Sequence, residues 1–237
     1  MQVSGPINRT FILNEMNKAF RLIKVSGKGT IQREIKIQPN PGDYYIQHRA
    51  CGKQNDDQFA SLSEDGVLRL FSFDLSPSQS EAYKKLSEIK IWLLEGRNES
   101  VISLAVCPRN TLFAVYTRKI GSQISSRLML YSPKKIMFQL VAVIDLWKQR
   151  MNCFYNIEFI GYLKDNSGVF LVGVTDTSGT SEAFTYQYNR RKDDLEEIGD
   201  LRKSFKASKV SALVRNFEGD LVCCDANGKK ITLHYNS

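Results

Sequence analysis

Short apolar runs separated by polar turn residues recur along the whole chain. The runs are rich in Val, Ile, Leu, Phe and Tyr, and Gly, Asn, Asp, Ser and Pro lie between them, which is the pattern of β-strands joined by turns. The predicted strands span 19–24, 31–37, 58–62, 67–73, 101–106, 112–116, 127–131, 137–145, 156–160, 169–174, 183–188, 210–215, 221–224 and 230–235. This pattern predicts an all-β protein.

One stretch fits a helix as well as a strand. Apolar residues such as Ala82 and Leu86 recur at helical spacing after Pro77, which is suited to a first helical turn. The tail of the same stretch also alternates as a strand does. We expect a short helix or turn near 78–86 that leads into a strand near 88–94.

Three segments share one order of elements: strand, polar turn, strand, polar hairpin, strand. They begin at residues 101, 156 and 210, so the steps between them are 55 and 54 residues. This period suits a four-stranded blade of a β-propeller with long loops. A β-sandwich is the alternative fold, but a sandwich has no repeat of blade length.

The segment 58–72 resembles the second and third strands of a blade of the WD-repeat family. The positions that carry the same residue types as that family are Ser63, Asp65, Gly66, Arg69 and Leu70. The segment 101–108 similarly resembles the inner strand of such a blade and the turn that follows it. The resemblance implies a propeller fold and a role in protein–protein interaction.

Two departures from the WD-repeat pattern limit what the resemblance implies. The Gly-His dipeptide of many WD repeats is absent, and Phe71-Ser72 lies where the Trp-Asp pair would be. The family's His–Asp–Ser–Trp hydrogen-bond network therefore cannot form in full. We expect the blades to be held together mainly by apolar packing between stacked sheets.

The length accommodates about four to five blades of this size. We expect residues 1–44 to form N-terminal strands that make a first or closing blade, and residues 45–237 to form WD-like blades. The last unit ends just after its third strand, so the strand near 10–14 would have to supply an outer strand there. Otherwise the propeller is incomplete, or a second copy or another chain completes it.

The composition agrees with a folded protein that stays inside the cell. The 237 residues are 42% hydrophobic and 24% charged, which excludes a disordered chain. The first residues lack the basic and apolar regions of a secretory signal, and the five cysteines are too few for a disulfide scaffold. We expect a cytoplasmic protein, with the cytoskeleton or a cilium as the alternative location.

The chain offers few groups for catalysis or metal binding. It has two histidines, His48 and His234, and each is expected to be an outward-facing or hydrogen-bonded strand residue, with a blade-linking position as the alternative for His48. The segment 26–30 is interpreted as a basic hairpin tip rather than as a phosphate-binding turn. The paired carboxylates at 56–57, 193–194 and 196–197 fall in polar loops. We therefore expect no enzymatic activity, no cofactor and no metal.

The net charge of +8 indicates partners with acidic surfaces. Most basic residues occur in scattered pairs or triplets, which are typical of solvated loops. The most promising candidates for partner contact combine an aromatic side chain with basic neighbours or lie in a basic triplet. These candidates are Trp147, Lys148, Arg150, Arg190 and Arg191.

The sequence thus predicts a non-catalytic scaffold for protein–protein interaction, built on a WD-like propeller and bound by an acidic protein. A basic propeller associated with nucleic acid is the first alternative. A structural component of the cytoskeleton or of cilia is the second. No binding to membranes is expected.

Overall fold

The structure is a computed structural model of the 237-residue chain. It describes residues 2–7, 10–15, 19–37, 45–51, 58–75, 83–91, 93, 99–107, 112–119, 125–134, 137–145, 154–162, 168–177, 180–189, 191–192, 194–197, 203–205, 210–215, 221–225 and 230–233. These residues form strands and turns. No helix in this part of the chain is long and apolar enough to cross a membrane.

Twenty strands form five antiparallel sheets within the described ranges. Sheet 1 contains β1 (Gln2–Ile7), β2 (Thr10–Glu15), β3 (Ala19–Val25) and β4 (Ile31–Ile37). Sheet 2 contains β5 (Tyr45–Cys51), β6 (Gln58–Ser63), β7 (Val67–Phe73) and β8 (Tyr83–Lys90). Sheet 3 contains β9 (Glu99–Val106), β10 (Phe113–Lys119), β11 (Ser125–Pro133) and β12 (Phe138–Asp145).

The two remaining sheets follow in chain order. Sheet 4 contains β13 (Phe154–Tyr162), β14 (Gly168–Thr177), β15 (Thr180–Asn189), β16 (Asp194–Glu197) and β17 (Lys203–Phe205). Sheet 5 contains β18 (Val210–Arg215), β19 (Leu221–Asp225) and β20 (Lys230–Leu233). In sheet 4, β16 and β17 both pair with β15, so the outer strand of this sheet is divided into two short pieces.

Each sheet is a meander in which neighbouring strands are also consecutive in the sequence. The first strands of successive sheets contact one another, from β1 through β5, β9 and β13 to β18. The chain therefore folds as a β-propeller in which each sheet is a blade and its first strand is innermost. This confirms the predicted all-β propeller fold.

The blade period extends further than the three predicted units. The first strands of sheets 2 to 5 begin at residues 45, 99, 154 and 210, so the steps are 54, 55 and 56 residues. Sheet 1 begins at residue 2 and is a shorter unit. The predicted division of the chain at residues 44 and 45 stays a prediction.

Apolar clusters lie between successive blades. Phe20 and Leu22 of sheet 1 pack against Phe59 and Phe71 of sheet 2. Leu70 of sheet 2 belongs to a second cluster with Phe113 and Met129 of sheet 3, and a third cluster joins Leu128 of sheet 3 to Tyr186 of sheet 4.

Sheets 2 and 3 are consequently covered on both faces. Adjacent residues of β6 illustrate this, because Phe59 faces sheet 1 whereas Ala60 faces sheet 3, and both are buried. In a sandwich each sheet would bury one face against a single partner. The stacked arrangement excludes the alternative β-sandwich.

One local prediction was wrong, and one alternative is excluded. Residues 83–86 belong to β8 and not to a helix, because Tyr83, Lys84 and Lys85 pair with residues 73, 72 and 71 of β7. The alternative in which 10–14 supplies an outer strand to the last blade is excluded, because this segment lies in β2 between β1 and β3 of sheet 1. Residues 78–82 lie outside the described residues.

Candidate functional site

The innermost strands of sheets 2, 3 and 4 carry a row of buried polar side chains at the axis of the propeller. Arg49 on β5, Ser103 on β9 and Glu158 on β13 are all buried. They lie 54 and 55 residues apart, so they occupy equivalent positions in three successive repeats. We call these three residues together with Gln47 the axial polar row.

The axial polar row connects the three blades directly. The Nε atom of Arg49 donates a hydrogen bond to the carbonyl of Leu104 over 2.9 Å, and the backbone N–H of Leu104 donates to Oε1 of Gln47 over 2.5 Å. A second nitrogen of Arg49 lies 3.7 Å from Oε2 of Glu158. The N–H of Ile157 donates to Oγ of Ser103 over 3.3 Å. These bonds satisfy backbone groups of β9 and β13 that face the axis.

A second polar row crosses sheet 2 on the face that meets sheet 1. The strand register places His48 opposite Ser61, Ser61 opposite Arg69, and Arg69 opposite Glu88. Nε of Arg69 donates to Oε2 of Glu88 over 2.8 Å, and its guanidinium lies 5.7 Å from the ring centre of Tyr45. The row therefore runs from a buried inner end to an ion pair at the outer strand.

His48 forms the buried end of that row. The centre of its ring lies 4.4 Å from the ring centre of Phe20 and 5.3 Å from that of Tyr45. Neither ring nitrogen of His48 has a hydrogen-bond partner among the described residues, and Oγ of Ser61 has none either. Desolvation by burial lowers the pKa of His48 to about 3, so the ring is neutral.

His48 occupies the alternative, blade-linking position. It is buried in the contact between sheets 1 and 2 and has no hydrogen-bond partner among the described residues, so the first expectation of an outward-facing or hydrogen-bonded histidine was wrong. The physical reason is its place on the innermost strand of an interior blade, where both faces are covered. His234 lies outside the described residues.

The WD-like residues of 58–72 form the tight turn between β6 and β7. The backbone of Gly66 has a φ of +82°, a conformation that glycine adopts at little cost. Oγ of Ser63 donates to Oδ1 of Asp65 over 2.5 Å and accepts the N–H of Val67 over 3.0 Å. Lys90 on β8 bonds to the carbonyl and to Oδ2 of Asp65, which ties the turn to the outer strand.

Packing replaces the missing tryptophan of the WD pattern. The ring of Phe71 stacks on the ring of Phe59 at 4.9 Å between centroids and 14° between planes. Both rings belong to the cluster that joins sheets 1 and 2. Phe71 therefore stabilises the contact between blades by apolar burial, in the way expected from the sequence.

The connections between the third and fourth strands carry exposed basic side chains. In a propeller these connections all lie at one end of the stack, because every blade has the same strand order. Lys28 lies in the turn between β3 and β4, Lys134 in that between β11 and β12, and Arg191 in that between β15 and β16. All three are exposed, and we call them the basic tips.

Local hydrogen bonds shape two of these turns. Oγ of Ser26 accepts the backbone N–H groups of Lys28 and Thr30 over 3.2 and 3.1 Å, which confirms that 26–30 is a basic hairpin tip. Oδ1 of Asn189 accepts the N–H of Arg191 over 3.0 Å. Lys192, next to Arg191, pairs with Glu196 over 2.8 Å, and the hydrogen bond and charge of Glu196 raise the pKa of Lys192.

Of the predicted contact residues, Arg191 lies in an exposed turn, as one of the basic tips. Trp147, Lys148, Arg150 and Arg190 lie outside the described residues, so their role stays a prediction. Sequence reasoning missed the axial polar row. The repeat could have revealed it. When the units are aligned at steps of 54 and 55 residues, Arg49, Ser103 and Glu158 occupy the same position of the first strand.

The described residues include no group of three or more His, Cys, Asp or Glu side chains placed to hold a metal ion. Cys107 is buried, and its sulfur accepts the N–H of Leu112 over 3.1 Å. Several carboxylates in this part of the chain form ion pairs between strands or blades, such as those of Glu88 and Glu158.

Comparisons with known proteins give structural matches at low sequence identity. No protein-family model and no curated protein matches the sequence. A mutant of NanB sialidase from Streptococcus pneumoniae is similar in structure, with a TM-score of 0.57 and 10% identity, over 90% of this chain and 34% of that one. The crystal structure of Kluyvelomyces marxianus Hsv2 matches with a TM-score of 0.48 and 16% identity, over 83% of this chain and 56% of that one.

The chain thus spans about a third of the sialidase and just over half of Hsv2. At these identities the likeness concerns the fold alone. The similarity in structure is no evidence that this chain has the activity of the sialidase.

Proposed function

We propose that the protein is a non-catalytic scaffold, a divergent WD-like propeller that binds an acidic surface of another protein. The observation that carries the proposal is the set of basic tips. Three blades each place an exposed basic side chain at the same end of a rigid stack. Loops on a rigid scaffold are the usual positions of binding residues.

Charge and packing support the proposal. The net charge of +8 attracts acidic partners and speeds their association. The axial polar row and the apolar clusters between blades hold the tips at fixed separations. A preorganised surface of this kind loses little conformational entropy when it binds.

The experiment compares two charge-reversal variants of the full chain. K28E/R191E reverses two basic tips, whereas K119E/K230E makes the same change in net charge at the opposite end of the stack. Affinity capture from cell extract identifies acidic partners, and binding is then measured with the purified partner. We expect K28E/R191E to weaken binding at least tenfold and K119E/K230E to leave it nearly unchanged.

Nucleic acid is the competing partner for a basic surface. If duplex DNA binds the wild-type chain with an affinity that falls steeply with salt, and K28E/R191E abolishes that binding, the protein-partner proposal fails. Equal binding of the acidic partner by both charge-reversal variants contradicts it as well.

A further inference from the structure

The outer strand of sheet 3 differs from the other outer strands. β4 carries Arg33, Glu34 and Lys36, β8 carries three lysines and a glutamate, and β16 has three acidic residues. β12 has no charged residue from Phe138 to Ile144. Charged side chains on an edge strand discourage pairing with a further strand. β12 lacks this protection.

β12 also exposes large apolar side chains. Leu140 is 43% exposed, Val143 is 44% exposed, and Val141 lies between them at a bulge where the pairing with β11 shifts. Leu140 pairs with Tyr131 and Val143 pairs with Met129. Leu140 and Val143 therefore lie on the face of sheet 3 that meets sheet 2.

Tyr131 and Met129 are fully covered on that face, in the cluster between sheets 2 and 3. Leu140 and Val143 extend the same apolar surface outwards. Sheet 2 approaches β12 at its beginning, where Glu88 of β8 forms an isolated parallel bridge with Met137. Beyond this point Leu140, Val141 and Val143 are exposed, whereas Ala142 and Ile144 are buried in the cluster with sheet 4.

Two exposed lysines lie on the elements that meet at the beginning of β12. Lys84 on β8 pairs with Ser72, whose neighbours Phe71 and Phe73 face sheet 1, so Lys84 lies on the face of sheet 2 that meets sheet 3. Lys134 lies in the turn that leads into β12, where its N–H donates to the carbonyl of Met137 over 2.8 Å. The carboxylate of Glu88 lies on the opposite face of sheet 2, where it pairs with Arg69. The local charge is therefore positive.

We propose that β12 binds an extended segment of the acidic partner, which adds to sheet 3 as a further antiparallel strand. This inference rests on the proposed function and gives its partner a definite binding mode. Apolar side chains of the segment contact Leu140 and Val143, and its acidic residues meet Lys84 and Lys134. Because the added strand is antiparallel to β12, its acidic residues follow its apolar residues in the sequence.

The test uses three labelled peptides and fluorescence anisotropy. The first peptide has alternating valine and threonine residues followed by a run of glutamates. The second has the reversed sequence, and the third replaces the valines of the first by serine. We expect the first peptide to bind the wild-type chain about tenfold more tightly than either of the others.

The protein variants separate apolar contact from charge. L140Q/V143T removes the apolar side chains without changing the charge, and we expect it to weaken binding of the first peptide about tenfold. The matched control is I31T, because Ile31 is 56% exposed on the outer strand of sheet 1. I31T is expected to bind the first peptide as the wild type does, and circular dichroism checks that both variants are folded.

Four outcomes would overturn the inference. If all glutamate-containing peptides bind equally and L140Q/V143T has no effect, the binding mode fails while the acidic-partner function stands. If no acidic peptide or protein binds the wild-type chain, both fail. Tighter binding of the reversed peptide contradicts the antiparallel orientation. A wild-type dimer in solution that L140Q/V143T dissociates would make a second copy of the chain the occupant of β12.

Discussion

His48 is a neutral histidine enclosed by aromatic rings, and this environment makes the stability of the fold depend on pH. An unfolded histidine takes up a proton below a pKa of 6.5, whereas burial lowers the pKa of His48 to about 3 in the folded chain. At pH values between about 3 and 6.5 the histidine is protonated in the unfolded chain and neutral in the folded chain. The contribution of His48 to stability is therefore complete above pH 6.5 and is lost progressively as the pH falls towards 3.

We predict that H48L removes this pH dependence. Between pH 6 and pH 4 the free energy of unfolding of the wild type falls more steeply than that of H48L, by about 1.4 kcal/mol per pH unit. Urea unfolding at several pH values measures both slopes. The carboxylates are common to both proteins, so their titration cancels in the comparison. Identical slopes would show that His48 is not buried in its neutral form.

The turns at Gly66 and Gly29 provide a matched pair of glycine substitutions. Both residues have a positive φ, +82° and +81°, so an added Cβ strains the backbone at either position. A Cβ at Gly66 would also lie 3.1 Å from Cδ1 of Leu93, whereas a Cβ at Gly29 would meet nothing within 4 Å.

We expect G29A to lower the free energy of unfolding by about 1 kcal/mol, through backbone strain alone. G66A should lower it by roughly 1 kcal/mol more, because Leu93 must shift. Chemical denaturation of the two variants gives the difference. Equal losses would mean that the contact with Leu93 relaxes without cost.

At the scale of one sheet, Glu99 joins three strands of sheet 3. Its Oε1 accepts hydrogen bonds from Oγ1 of Thr117 over 2.6 Å and from Nε of Arg127 over 2.7 Å, and its Oε2 lies 2.5 Å from a second nitrogen of Arg127. The side chain of Glu99 is 2% exposed. A half-buried bidentate ion pair of this kind provides charge-assisted hydrogen bonds that are lost when the carboxylate is neutralised.

We predict that E99Q destabilises the fold by about 1.5–3 kcal/mol, because it removes the carboxylate that accepts charge-assisted hydrogen bonds from the half-buried Arg127 guanidinium. E34Q is the control, since Glu34 forms an exposed cross-strand pair with Arg21 in sheet 1. Its expected cost is below about 1 kcal/mol. Thermal unfolding of both variants tests the contrast, and similar losses would contradict it.

The elements that could be predicted from the sequence are strands in which the apolar run and its flanking turn residues lie within one short segment. The strands starting near 101, 156 and 210 were found because apolar runs and turn residues define them without tertiary information. The segment 83–90 was harder, since Leu86 and Ile89 fit a helix and a strand equally well. The pairing of β8 with β7 decides between the two.

The axial polar row could not be predicted from local pattern. Gln47, His48 and Arg49 are three consecutive polar residues, which suggests an exposed strand, yet all three are buried. An innermost strand of an interior blade has neighbours on both faces, so polarity in the sequence does not indicate exposure there. Arg49 and Glu158 are far apart in the sequence, and only the stacking of the blades brings them together.

At the scale of the whole molecule, Arg49 couples three blades. We predict that R49M lowers the free energy of unfolding by about 3–5 kcal/mol, because it removes the guanidinium that faces the buried Glu158. The double variant R49M/E158Q should recover part of this loss, since it removes the buried charge as well. A double-mutant cycle with urea unfolding measures the coupling energy, and strictly additive losses would contradict it.

Hydrogen exchange locates the effect of R49M. Amides of β5 and β9 should exchange faster in R49M than in the wild type, because Arg49 bonds to the carbonyl of Leu104 between these strands. Amides of β2 and β3 in sheet 1 serve as the internal reference. Uniform acceleration across all sheets would indicate that the chain opens only as one unit.

The burial of sheets 2 and 3 on both faces also limits where the chain can be truncated. A protein fragment that ended after sheet 2 would present the side chains of Leu70 and Ala60 to water, and one that began at sheet 3 would present Phe113 and Met129. Removal of sheet 1 would likewise present Phe59 and Phe71 of sheet 2. Every cut between these blades therefore exposes an apolar face, and we expect such truncated forms to lose soluble expression.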